Sequence, residues 1–306
     1  MSLAGVLATG VWSDFVQFAP YHKAVAAGAV IGLMCGLLSV LVVLRRMAFI
    51  GEGISHAAFG GVGVALLAEA LLGGAAMSAL ARDGVIALFC VGTALGIGRL
   101  TRRQRVGEDT AIGIGLVAAM ALGVILLQIR VSISSAPVPG LETLLFGNMV
   151  LIRTEELVAA CVLAGATVVF IVGLFKELAF MAFDEETATV FGVRTGLLYH
   201  TLLVLLGLAI VAAMRSMGVI LASALLILPG ATARLWSNRI GVVTAVSAAL
   251  GVAGPVGGFF LTLWLTSVKV DLSPEPVIVL TLFAAFAASY LFTYLFNPRS
   301  RRRSET

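Results

Sequence analysis

Charge is scarce in this sequence, and the scarcity excludes more than any single motif does. Asp, Glu, Lys and Arg make up 12% of the 306 residues, about half the share of a soluble globular chain. Cysteine and histidine occur three times each. Cys35, Cys90 and Cys161 stand in three separate apolar runs, a spacing that suits neither a disulfide nor a thiolate metal centre, and they read as small packing residues. No glycine is followed by lysine, which leaves no P-loop to cradle a nucleotide, and no HExxH pattern suggests a zinc protease. Met1 to Tyr21 lack the basic start and small-residue cleavage pattern of a secretory leader, so the first apolar span is expected to act as its own insertion signal.

What is present is apolar: 60% of the residues are hydrophobic and the mean hydropathy is +1.09. Runs rich in Leu, Ala, Val and Gly approach or exceed the roughly 20 residues that a helix needs to cross a hydrocarbon core. They are continuous, whereas the strands of a membrane barrel alternate. The sequence therefore predicts an all-α, polytopic membrane bundle with a single transmembrane domain over 1–306. Spans are expected at about 24–44, 54–73, 84–100, 110–129, 157–175, 197–214, 218–233, 241–266 and 277–296. The seventh is short and ends at Pro229, so eight and ten are the neighbouring counts. Small residues recur four apart at Gly28, Gly32 and Gly36 and again at Gly92 and Gly96, a spacing that lets helices approach closely.

With the short seventh span counted, 14 of the 20 Lys and Arg residues fall on one side, among them Arg45, Arg46, the cluster at 99–105 and the arginines of the tail. The rich side is expected to be cytoplasmic. That places the N-terminal segment 1–23 outside and the tail 297–306 inside, where SRRRSET reads as a topology anchor rather than a nucleic-acid arm. Between the fourth and fifth spans, 134–152 carries Pro137, Pro139 and Gly140 ahead of an apolar stretch too short to cross. A re-entrant or surface helix on the outer side is expected there.

Two segments carry chemistry. In RRMAFIGEGISHAAFGG, residues 45–61, Glu52 and His56 stand four apart, which puts both on one helix face. His56 is ten residues beyond Arg46, and ~1.5 Å of rise per residue sets it ~15 Å deep, near the bilayer midplane. Ionisable groups at that depth face a cavity or a partner and mark a transport path, and carboxylate plus imidazole is a half-site for a divalent transition ion. The same pair reads equally as a packing histidine bonded to a neighbouring helix, with Glu52 paired to an interfacial arginine. His22, His200 and Glu69 fall at span ends, and Asp271 and Glu275 are expected as solvated loop charges. In FDEETATVFGVRTGLL, residues 183–198, three acidic residues lead a short helical pattern that Gly192 stops. This is either a docking loop for a soluble partner or a plain surface connection.

RRMAFIGEGISHA, LLFGNM, FDEETATVFGV and RSMGVILASALLILPGATARL (215–235) follow one another in an order and at distances that resemble a known family: the permease subunits of ATP-binding-cassette importers for zinc, manganese and related metals. The resemblance runs from YHKAVAAGAVIG through the last span. It implies a type II importer fold in a bacterial plasma or inner membrane, with two copies forming the path among membrane lipid. A cytoplasmic ATPase would dock on the 183–198 loop, through Asp184, Glu186, Ala188 and Gly192. A soluble extracytoplasmic metal-binding protein would deliver the ion. Glu52 and His56 would be ligands to the transported zinc or manganese, with iron as a third cargo, and no cofactor would be held permanently. The family usually has Asp where this chain has Glu52. ATP hydrolysis would belong to the separate subunit. An importer of chelated metal, as siderophore or cobalamin, and an ATPase-independent carrier are the competing readings; a large chelate needs a wide apolar path and no direct ligands, which Glu52 and His56 oppose.

The charge balance generates a direct test. Cysteines introduced at residues 5 and 304 should be labelled from the outer and the cytoplasmic side respectively; labelling of both from the cytoplasm would overturn the nine-span topology.

Overall fold

A backbone in lipid must satisfy its own N–H and C=O groups, and the long apolar runs do so as helices. The computed structural model of the chain describes residues 15–72, 77–102, 107–133 and 147–296. Its helices are α1 (Ala19–Leu44), α2 (Ala48–Leu71), α3 (Ala79–Arg102), α4 (Glu108–Ile133), α5 (Thr154–Gly173), α6 (Phe175–Phe183), α7 (Glu185–Val190), α8 (Thr195–Trp236), α9 (Ile240–Ser267) and α10 (Pro274–Phe296). A 3-10 turn covers Met149–Leu151, and no strand occurs among the described residues. Residues 1–14, the 134–146 part of the expected re-entrant segment and the tail 297–306 lie outside the described residues.

Eight of these helices are long and apolar enough to cross a membrane. The expected spans 197–214 and 218–233 both fall in α8, whose 42 residues would run ~63 Å as one ideal helix, about twice a hydrocarbon core. Gly218, at φ 78° and ψ 167°, interrupts it with non-helical backbone, a conformation open in practice to glycine alone. The first expected span is also longer than the sequence suggested, beginning at Ala19. Pro20 sits in its first turn, where a missing N–H leaves no intrahelical bond unmade.

The chain divides into two compact units, one of residues 1–44, 148–173 and 224–306, the other of 45–147 and 174–223. In the first, α1 crosses α9 with backbone against backbone. A Cβ on Gly32 would lie 2.0 Å from the Gly251 carbonyl oxygen, and one on Gly251 would lie 2.2 Å from that of Gly32. Ser247 Oγ donates to the Gly36 carbonyl at 2.5 Å across the same seam. Ser39 of α1 bonds the backbone of α8 on both sides of Pro229: its Oγ accepts from Gly230 N–H at 2.8 Å and donates to Ile227 O at 3.2 Å. Glu275 corrects an expectation. Instead of a solvated loop charge it is 4% exposed and accepts from Met149 N–H at 2.8 Å, so it pins the end of the LLFGNM segment.

In the second unit α2 lies along both α3 and α4, on glycines. Gly60 and Gly61 meet Phe89 and Ile86 of α3, Gly53 meets Ile112 of α4, and Gly123 of α4 abuts the backbone of Phe59 and Gly60. Gly92 and Gly96 share the four-residue spacing, yet a Cβ on either would meet nothing within 4 Å. Charges gather in two sets. Arg45 and Arg102 pair with Glu185, while Arg82 approaches Glu69 at 4.0 Å and Arg215 pairs with Asp83. The first set comprises positions assigned to the cytoplasmic side by the charge balance. Arg82 and Arg215, the basic members of the second, are among the six basic residues that the charge balance leaves on the expected outer side.

The α1–α9 seam predicts unequal tolerance. Gly251→Val should lower the melting temperature of the detergent-solubilised protein steeply, since overpacking at sites that can relax already costs about 1–3 kcal/mol and here the obstructing atoms are backbone. Gly92→Ala should melt no lower than the native chain, because its Cβ enters open space and alanine is the better helix former.

Candidate functional site

The three residues between α1 and α2 end in Met47, 1% exposed, and α2 then carries Glu52 and His56 one turn apart. Their side chains meet: His56 Nε2 and Glu52 Oε1 are 2.9 Å apart. The imidazole stacks on Phe59, one turn less a residue further on, with centroids 5.8 Å apart and planes 20° from parallel. Its other nitrogen, Nδ1, is buried without a hydrogen-bond partner among the described residues. The Glu52 side chain is 38% exposed against 19% for His56, so the carboxylate is the more open end of the pair. Of the two sequence readings of Glu52, the interfacial arginine partner gives way to His56. No group of three His, Cys, Asp or Glu capable of holding a metal occurs among the described residues. His200 Nδ1 instead donates to its own helix at Gly196 O, 2.6 Å away, and His22 Nε2 donates to Phe15 O at 2.9 Å.

The 183–198 segment obeys capping rules at both ends of α7. Asp184 is the N-cap; its carboxylate accepts from Thr187 N–H at 2.9 Å and from Thr187 Oγ1 at 2.5 Å. Those bonds hold its carboxyl below the usual aspartate range. Ala188 is fully buried and Glu186 is exposed. At the other end Val193 N–H donates to Ala188 O and Gly192 N–H to Thr189 O, both at 3.0 Å, the paired bonds of a Schellman cap. Gly192 has φ +85°, and nothing lies within 4 Å of the Cβ it lacks. A side chain here would meet backbone strain, not crowding. Val190 and Phe191, 85% and 76% exposed, turn apolar surface outward at the same end.

Glu185 is the residue that sequence reasoning passed over. Its Oε2 accepts from Arg45 Nη2 at 2.5 Å and its Oε1 from Arg102 Nη2. Both guanidinium groups lie 5.1 Å from the Tyr199 ring centroid, a cation–π distance. Burial alone would raise the carboxyl's pKa, and the two arginines overcome that, so Glu185 stays below the usual glutamate range. The ion pairs are thus complete above that range and open only as pH falls through the lowered value. A cavity of about 580 Å³ adjoins them, lined also by Glu186, Thr189 and Thr195. The local signal, a run of three acids before a helix, accounts equally for dipole complementation. Nothing in it distinguishes the middle acid, whose partners lie 140 and 83 residues away.

The chain is 31% identical to a manganese transport system membrane protein, MntC, of Halalkalibacterium halodurans, over 93% of this chain and 91% of that one. It is 31% identical to a chelated iron transport system membrane protein, YfeD, of Yersinia pestis, over 92% of this chain and 88% of the other. Among solved structures, PsaBC from Streptococcus pneumoniae in complex with Fab superposes with a TM-score of 0.74 at 28% identity, covering 95% of this chain and 96% of that chain. Residues 17–293 match the ABC 3 transport family, and with eight helices among the described residues able to span a bilayer this chain is a multi-pass membrane protein that belongs to that family.

Proposed function

We propose that the chain is the permease subunit of an ATP-driven importer of divalent transition metal ions, with manganese or zinc as cargo and iron next. The observation that carries this is the Glu52–His56 pair, an oxygen and a nitrogen donor preassembled on one face of a membrane-spanning helix. Their shared hydrogen bond orients both groups, and an arriving dication would take the place of that bond, with the oxygen and the nitrogen both turned to the metal. One copy offers two such donors. Four side-chain ligands would complete a tetrahedral zinc site, and added oxygens would suit manganese; a second copy across a central path would supply the other pair.

Energy would come from a separate cytoplasmic ATPase docked on the 183–198 segment, where Asp184 and Gly192 fix α7 and Val190 and Phe191 stand exposed. Glu186 and Ala188 belong to the same element, one on its open face and the other in its buried footing. A soluble extracytoplasmic metal-binding protein would hand over the ion. The manganese-named relative supports manganese, and the chelated-iron relative supports iron as the next cargo to test. Uptake of radiolabelled manganese, zinc and iron by vesicles holding the assembled complex, each competed with the others and with a siderophore chelate, ranks the cargoes.

Three variants test the site. His56→Ala should abolish uptake while leaving assembly with the ATPase intact, and Glu52→Asp, the family's usual residue, should retain transport. Normal uptake by the Glu52→Ala, His56→Ala double variant at matched abundance would remove the pair from the path. Gly192→Val forces a β-branched residue into a left-handed conformation, at about 1–3 kcal/mol. It should insert normally yet transport poorly; unimpaired transport would discount the loop as the coupling element.

A further inference from the structure

We infer that Glu185 is a positioning residue, through which the coupling helix α7 holds the three-residue link leading into the metal-bearing helix α2 and the last turn of α3 together as one moving body. The inference rests on the coupling role proposed for 183–198 and adds the route from that segment to Glu52 and His56. One carboxylate accepts from Arg45 with one oxygen and from Arg102 with the other. Arg45 stands three residues before Ala48, the first residue of α2, and Arg102 is the last residue of α3. The link between Arg45 and α2 is short and constrained: Arg46 has φ +59° and Met47 is buried. A displacement of Arg45 therefore reaches α2 with little slack. Past that turn, α2 is seated closely on α3 and α4 at glycines, where an added Cβ on Gly53, Gly60, Gly61 or Gly63 would fall within 3 Å of a neighbouring atom. A push on α7 is thus delivered to Glu52 and His56 by the whole packet rather than by a single bent helix.

The electrostatics make the joint conditional on the carboxylate. Arg45 Nη1 is buried and finds no hydrogen-bond partner among the described residues, and both guanidiniums face the same Tyr199 ring. Without Glu185, two cations would remain side by side in a partly desolvated setting and would repel. Glu185 is not a ligand and touches no cargo; it acts through Arg45 and Arg102.

The test uses the full permease–ATPase complex in vesicles, comparing the native chain with Glu185→Gln and Arg102→Gln. Two quantities are read: ions taken up per ATP hydrolysed, and nucleotide-dependent amide exchange over residues 48–56. We expect both variants to assemble and hydrolyse ATP, with the ion-to-ATP ratio lowered on the order of tenfold. The nucleotide-dependent exchange change at 48–56 should be lost, while that at 185–192 persists. A Glu185→Cys, Arg102→Cys pair in a Cys161→Ser background should regain the native ratio once joined by a short thiol crosslinker. Equal ratios and equal exchange in native and Glu185→Gln chains would overturn the inference, as would loss of ATPase assembly or failure of the crosslink to restore coupling. Absence of metal uptake by the native complex would count against the proposed function instead, and the exchange comparison would still judge the joint.

Discussion

Water is missing from the middle of a bilayer, and most features of this chain follow from how its polar groups cope without it. Backbone groups close on themselves as helices. Where a proline or a glycine breaks that closure, a neighbour bonds the backbone beside the break or the break remains as a defined kink. Ser39 does the first for Gly230 beside Pro229; Gly218 does the second in α8. Side-chain charge is pushed to helix ends and to the interruption of α8, where Arg45, Arg102 and Glu185 form one set and Glu69, Arg82, Asp83 and Arg215 form pairs in another. Against that background a glutamate and a histidine part-way along α2 are an exception with a cost, and the cost is lowered by letting each serve as the other's partner.

The same absence of water changes what holds helices together. Lipid is as apolar as leucine, so burying more leucine gains little, and close van der Waals approach has to contribute instead. The α1–α9 crossing and the seating of α2 on α3 and α4 both use glycine to bring backbones together. Such contacts are stiff, since a carbonyl oxygen cannot step aside as a side chain can. Stiffness suits a transporter, where a force applied at one end of a helix has to arrive at the other without being absorbed.

The 183–198 segment follows the rules of soluble proteins. Its short helix is fixed by an aspartate N-cap, a Schellman C-cap at a glycine with positive φ, and a carboxylate held by two arginines. The element is rigid at its base and apolar at its exposed tip, in Val190 and Phe191. A partner can press on it without unfolding it.

Much of this was legible in the sequence because it depends on short-range physics. Hydropathy and length located the crossing helices, and the four-residue spacing put Glu52 and His56 on one face. The three acids and the Gly of 183–198 marked a short helix and its stop because those signals are local. Tertiary structure decided what local pattern leaves open. Gly32 and Gly92 have the same spacing, yet only the former meets a neighbouring backbone. Glu275 beside two prolines looked solvated, and the fold buried it against Met149. Glu185 was one acid among three until Arg45 and Arg102, remote in the chain, closed on it. Helix propensity and membrane insertion are set by neighbours in sequence, whereas burial, pairing and close approach are set by which helix faces meet.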